Sequence, residues 1–250
     1  MTLLLTNDDG IHSPGLHALE QALAKNHTLY VMAPDSERSG MSHSITLRGP
    51  LRVKAFGEKR FACSGTPADC VMLAHRGELI PSFDLVLSGI NNGPNLGTDV
   101  VYSGTAAAAR QAALMGVPGI ALSLASLKGP WVFDWAAQWV AENLEELQAS
   151  LQTGTFLNIN FPENPIHPLQ TRITTLSPRT YVDKIRTFQA PDGDWYCFSQ
   201  GALAEHDLEP GSDWYEVNAG NISLSTVEVF PLSRGEPLAL NGLDSKQRSL

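Results

Sequence analysis

The chain has 250 residues, with 43% hydrophobic and 17% charged residues and a net charge of −9. This is the composition of a globular protein with one large core, and it excludes a disordered chain. The acidic balance argues against long nucleic acid as a partner, which needs a basic stripe, but allows a small phosphorylated ligand if a metal ion reverses the sign locally.

The opening MTLLLTNDDG has only a short leucine run before two carboxylates, so no secretory signal is expected there. No stretch approaches the ~20 apolar residues of a membrane span. Cys63, Cys70 and Cys197 form no CxxC pair and are odd in number. They read as reduced thiols in a cytoplasmic protein.

Residues 3–6 read as a buried strand. A helix is expected over 14–25, with Ser13 as cap, Pro14 in its first turn and Leu16, Leu19, Ala22 and Leu23 as its apolar stripe. Residues 28–33 read as a second strand, closed by Pro34. A polar loop over 35–43 leads to expected strands over 45–47, 51–55 and 60–63. A helix over 66–74 and a fully apolar strand over 84–88 follow. An alanine-rich helix over 104–115 starts after Ser103, and a strand is expected over 119–124. A helix over 131–147 and a strand over 156–161 complete the pattern.

Such alternation implies an α/β fold: a Rossmann-like, mainly parallel sheet with helices on both faces. We expect a catalytic core over 1–161. From 162 to 250 we expect a β-rich extension with oligomerisation arms, in which 171–175 and 221–229 alternate as antiparallel strands. Apolar arms of this kind, residues 222–229 among them, need a partner sheet edge, so a homo-oligomer, at least a dimer, is expected.

Three polar, glycine-marked loops follow apolar strands: Thr6-Asn7-Asp8-Asp9-Gly10, Arg38-Ser39-Gly40, and Ser88 through Asn95. In a parallel sheet they share the carboxyl edge, where open α/β proteins bind ligands. Neighbouring side chains of a strand point to opposite faces, so Asp8 and Asp9 serve one site only if the chain leaves strand geometry there. Gly10 makes that easy. Two close carboxylates repel and call for a cation, and oxygen donors alone select Mg²⁺ or Mn²⁺ over zinc. Asn91, Asn95 and Ser39 can add neutral oxygens. Ser103, Gly104 and Thr105 open the alanine-rich helix, where main-chain N–H groups, the helix dipole and two hydroxyls suit a phosphate, while Ser103 can also simply cap the helix. Their hydroxyls are expected to act on substrate and not on the metal. HxxxH, a Gly-x-Ser-x-Gly elbow, a Walker loop and Gly-x-Gly-x-x-Gly are absent, so a zinc enzyme, a serine hydrolase and a dinucleotide cofactor have no support.

With these residues in place, the sequence resembles the SurE family, stationary-phase survival proteins that act as 5′/3′-nucleotidases. The resemblance rests on TNDDGIHSPG (6–15), APDSERSGMSHSIT (33–46), GTPADCV (65–71), SGINNGPNLGTDVVYSGTAAAA (88–109) and PGSDWYEVNAGNISLS (210–225). It implies hydrolysis of nucleoside 5′- and 3′-monophosphates with one Mg²⁺ or Mn²⁺ per subunit. The metal ligands would be Asp8, Asp9, Ser39 and Asn91, with Asn95, Ser103 and Thr105 near the phosphate. It also implies a homodimer or homotetramer that swaps an arm. Ala106, Gln111 and Ala112 depart from the family pattern in the alanine-rich helix. Water activated by the metal is the expected nucleophile, with either aspartate as base. Attack by an aspartate ranks second, because Gly10 stands where the second Asp of a D-x-D pair would be. A nucleotide sensor without turnover is the competing class.

Overall fold

A computed structural model describes residues 1–129, 131–178, 181–203 and 208–231. Its centre is a nine-stranded sheet. Six strands are parallel: β1 (Thr2–Thr6), β2 (Thr28–Pro34), β4 (Arg60–Cys63), β5 (Leu85–Asn92), β6 (Gly119–Ala125) and β7 (Thr155–Pro162). Their order is β4-β2-β1-β5-β6-β7. The chain therefore builds outward from β1 in one direction and from β5 in the other, which makes the β1/β5 boundary the topological switch point. The short β3 (Val53–Ala55) adds antiparallel to β4 at one edge.

The two central strands, β1 and β5, carry continuous apolar runs over 3–5 and 85–87 because both faces are covered. Leu3, Leu5, Leu85 and Leu87 face α1 (Pro14–Leu23) and α5 (Asp134–Ser150). Leu4 and Val86 face the opposite way, toward α2 (Pro67–Arg76) and α4 (Gly104–Leu114). All six strand residues are fully buried, each worth roughly 1.5–3 kcal/mol in area removed from water. Trp135 and Trp139 of α5 meet Phe161 edge-on at 5.5 Å. No helix among the described residues is long and apolar enough to cross a membrane.

Four expectations change. Residues 45–47 form no strand: the Thr46 N–H and hydroxyl donate to Asp69 at 2.9 and 2.8 Å. Asp69 also belongs to the Thr66 capping box of α2, so a helix cap captures this segment before a strand can. The last long helix begins at Asp134, and Trp131 stays in the connection before it, its indole N–H donating to the Ser126 carbonyl. Near the carboxyl end, β11 (Ile222–Glu228) pairs antiparallel with β7, but β8 (Thr171–Ile173) pairs parallel with β11. Residues 222–229 thus find their sheet edge in the same chain. The projecting element is the hairpin of β9 (Tyr181–Gln189) and β10 (Trp195–Leu203), a separate two-stranded sheet. Two short helices, α3 (Asp99–Tyr102) and α6 (Asp213–Asn218), were not anticipated. Residues 232–250 lie outside the described residues.

Candidate active site

The turn after β1 is organised by Asn7. Its buried side-chain oxygen accepts from Gly10 N at 3.1 Å, and its amide donates to the Gly10 carbonyl at 3.0 Å and to Ser13 Oγ at 2.5 Å. Gly10 has a φ of 101°, in the region that favours glycine. This is where the chain leaves strand geometry, and it sends both carboxylates toward the switch point. Asp8 borders a cavity of about 760 Å³ with Asn91, Asn95, Asp99, Tyr102 and Ser103. Asp9 borders another of about 570 Å³ with His12, Glu37 and Trp131. Ser39 and Asn92 line both, so the two cavities meet at the carboxylates.

Asp8 is locked from several sides. Its Oδ1 accepts from the Thr105 hydroxyl at 2.5 Å, and its carbonyl accepts from Arg38 N at 2.7 Å. Gly104 lies so close that a Cβ there would stand 2.8 Å from Asp8 Cβ and 2.9 Å from Oδ2. Burial raises the Asp8 carboxyl above its usual range, while the Thr105 hydroxyl and the Thr105 and Gly104 main-chain N–H groups pull against that rise. The Asp8 carboxyl therefore occupies the start of α4. The Thr105 side chain differs from the expectation: it is fully buried with its hydroxyl turned to Asp8, and neither Gly104 nor Thr105 lines these two cavities. Ser103 does line the larger cavity, and it also caps α4 by accepting from Ala106 N at 3.0 Å.

Asp9 is held less tightly. It accepts from Asn92 N at 3.3 Å. Its carboxyl is raised to about 7 by burial first, then by the charges of Asp8 and Glu37. Ser39 is exposed on its loop and donates to Glu37 at 2.9 Å, which leaves its oxygen free to bind a cation. Asn91 donates to the Gly93 carbonyl at 2.9 Å. Its orientation follows from a register shift in β5 between Ser88 and Asn91, a bulge that re-aims the strand end. Among the described residues no three His, Cys, Asp or Glu side chains cluster as metal ligands. A metal here would draw on two carboxylates and neutral oxygens, which fits a hard divalent ion. The fit rests on that donor set and on its placement, with both carboxylates, Ser39 and Asn91 lining the two adjoining cavities.

The loop carrying Asn95 is held from beneath. Asn158 and Asn160 donate to its carbonyl at 2.8 and 3.0 Å, Asn160 accepts its N–H at 2.9 Å, and its side-chain amide donates to Ser123 Oγ at 2.8 Å. Two residues on, Gly97 N donates to the buried Asp213 at 2.6 Å, and Ser177 donates to the same carboxylate through its N–H and hydroxyl. Asp213 thus ties the site loop to both ends of the segment that carries the hairpin.

Asn7, Asn92, Asn158, Asn160 and Asp213 were missed as site residues. Asn92 has a legible signal, its place beside Asn91 in a glycine-marked loop. Its Oδ1 is buried without a partner and its residue lines both cavities. Asn158 and Asn160 alternate with Leu157, Ile159 and Phe161 in β7, an unusual pair of buried polar groups in a buried strand. Gly15 carries no polar signal, yet a Cβ there would stand 1.9 Å from the Ile90 carbonyl, so α1 approaches the site strand only because the residue is glycine. Of the departures from the family pattern, Ala106 and Ala112 are fully buried, and Gln111 hydrogen-bonds His43 at 2.9 Å, tying α4 to the 35–43 loop.

Comparison with known proteins places these residues in a lineage. The model of the family described as "Survival protein SurE" matches residues 3–183. The 5′-nucleotidase SurE of Desulfitobacterium hafniense is 44% identical over 230 residues, covering 90% of each chain. That of Thermosipho melanesiensis is 40% identical over 236 residues, covering 92% of each. The crystal structure of the SurE protein from Aquifex aeolicus superposes with a TM-score of 0.82 at 32% identity, over 93% of this chain and 95% of that one.

Proposed function

The chain belongs to the SurE family, and from that premise we propose that it is a nucleotidase. It hydrolyses nucleoside 5′- and 3′-monophosphates to nucleoside and phosphate, with one Mg²⁺ or Mn²⁺ per subunit. The observation that carries this reading is the pair of adjacent carboxylates at the β1/β5 switch point, with the Asp9 carboxyl raised to about 7. Asp8, Asp9, Ser39 and Asn91 would hold the ion. When bound, it lowers the pKa of water and neutralises phosphoryl charge.

The chain's own groups do the rest. Thr105 and Gly104 hold Asp8 in one orientation. Asn95 and Ser103, both lining the larger cavity, orient the phosphate. Among the described residues Asp9 accepts from one main-chain N–H, that of Asn92, and so has the freer oxygens to take the proton of the attacking water. The test is phosphate release from AMP and GMP with Mn²⁺, with and without chelator. Release abolished by chelator is expected, and release that chelator leaves untouched would remove the metal from this reading. A single turnover in ¹⁸O-water should place the label in phosphate; label in Asp8 or Asp9 would replace water attack by a covalent route.

A cytoplasmic location suits the three free cysteines. A homodimer or homotetramer is supported by the hairpin, where Ile185, Phe188, Trp195, Tyr196 and Phe198 are all more than half exposed. Apolar surface of that kind is covered by a second copy or promotes aggregation. Light scattering should report more than one chain per particle, and a monomer at micromolar concentration would refute it.

A further inference from the structure

Two large aromatic side chains border the site without a part in the hydrolysis, Tyr102 on the Asp8 side and Trp131 on the Asp9 side, and of these Trp131 lines the cavity that holds Asp9. Trp131 lies on the connection between β6 and α5 and is fixed at two points. Its indole N–H donates to the Ser126 carbonyl at 2.9 Å. Its ring lies against Gly129, where a Cβ would stand 3.2 to 3.4 Å from three ring carbons and where φ is +59°. The anchor is itself secured, because Ser126 is buried and its hydroxyl donates to Glu163 at 2.8 Å. Yet Trp131 remains 41% exposed, and it lines the cavity of about 570 Å³ that contains Asp9, Glu37, Ser39 and Asn92. That volume falls within the ~300–1,000 Å³ usual for small-molecule sites. A large flat ring that is held in place and left open beside a polar centre suits stacking, because little side-chain freedom remains to be lost on contact.

We propose that Trp131 is the stacking platform for the nucleobase of the substrate. The nucleoside then occupies the cavity on the Asp9 side, while its phosphate reaches past Ser39 and Asn92, which border both cavities, toward Asn95 and Ser103 in the larger one. The inference rests on the reading of the carboxylate pair as the phosphate-hydrolysing centre. Every base has a π-face, so the platform accepts many bases, and it favours purines over pyrimidines through their larger overlap. Trp131 binds substrate and leaves the reacting atoms to others, so its effect falls on KM more than on kcat.

The experiment compares 5′-AMP with ribose 5-phosphate, which carries the same phosphate and sugar without a base. Trp131→Ala should lower the ratio of their kcat/KM values about tenfold, the usual worth of one stacked base, mainly through a higher KM for AMP. Trp131→Phe should keep most of the ratio. The inhibition constant of adenosine, a product with no phosphate to lose, should rise about tenfold in Trp131→Ala. A collapse of the loop would slow both substrates alike and leave the ratio where it was. An unmoved ratio in Trp131→Ala, or a fall seen in Tyr102→Ala instead, would overturn the proposal. Wild-type protein that releases phosphate from neither substrate would refute the hydrolytic reading alone. Quenching of tryptophan emission by adenosine then decides the platform: its loss in Trp131→Phe supports the proposal and its persistence overturns it.

Discussion

The two carboxylates of the site are neighbours in sequence but stand in unlike surroundings. Asp8 is enclosed: a buried hydroxyl, the start of α4 and a main-chain tie to Arg38 fix it. Asp9 and Ser39 sit on the open side, where Asp9 has one main-chain donor and Ser39 is exposed. One half of the site is thus preorganised by tertiary packing, and the other half is free to adapt to what binds. Preorganised groups lose nothing on binding, while adaptable ones give up freedom and contribute less.

The sharpest way to break this contrast is Asp8→Asn, which removes a charge from the locked side. Activity with Mn²⁺ should fall by more than about a hundredfold, beyond the 10–100-fold typical of losing a group that only supports a ligand. Near-normal turnover would show that the enclosed side does not hold the ion. Thr105→Val tests the support itself: its shape is kept and its donor to Asp8 is lost. Metal affinity and turnover should fall together by about 10–100-fold, measured by Mn²⁺ titration and phosphate release. A fall in turnover at unchanged affinity would return Thr105 to the substrate. On the open side, Ser39→Ala should cost only about two- to tenfold, the worth of one modest polar contact. A larger loss would mean that the loop is as fixed as Asp8.

The smallest expected effect is on stability against pH. The folded carboxyl of Asp9 is raised from 3.8 to about 7, so the folded protein holds a proton there that the unfolded chain releases. Its contribution is present in full below about pH 4 and is lost as pH rises to about 7. In metal-free protein, Asp9→Asn should therefore flatten the melting temperature between these limits, and saturating Mn²⁺ should do the same to the wild type. Identical slopes for wild type and variant without metal would remove the charge conflict from this side.

Much of the contrast was legible in part. Asp8, Asp9, Ser39, Asn91, Asn95 and Ser103 all border the two cavities, because polar loops after parallel strands share one edge of the sheet. Thr105 was read as a phosphate contact because a helix start attracts anions, and a sequence does not say whether that anion comes from outside or from a side chain 97 positions away. Residues 45–47 read as a strand from their apolar pattern, and the long-range bonds of Thr46 to Asp69 overrode it. The parallel pairing of β8 with β11 had no local signal, since strand direction depends on what lies alongside.

The sequence by itself determined the α/β layering, the strand ends that carry the acidic and amide side chains, and the adjacency of the two carboxylates. These follow from period, glycine placement and charge, all of which act within a few residues. Tertiary structure alone decided that Asp8 fills the start of α4, that Asp213 ties the Asn95 loop to the carboxyl-terminal segment, and that Trp131 stands open beside Asp9. Each of these joins residues distant in the chain or depends on which surface is left uncovered once every element has packed, and such pairings exist only in the finished fold.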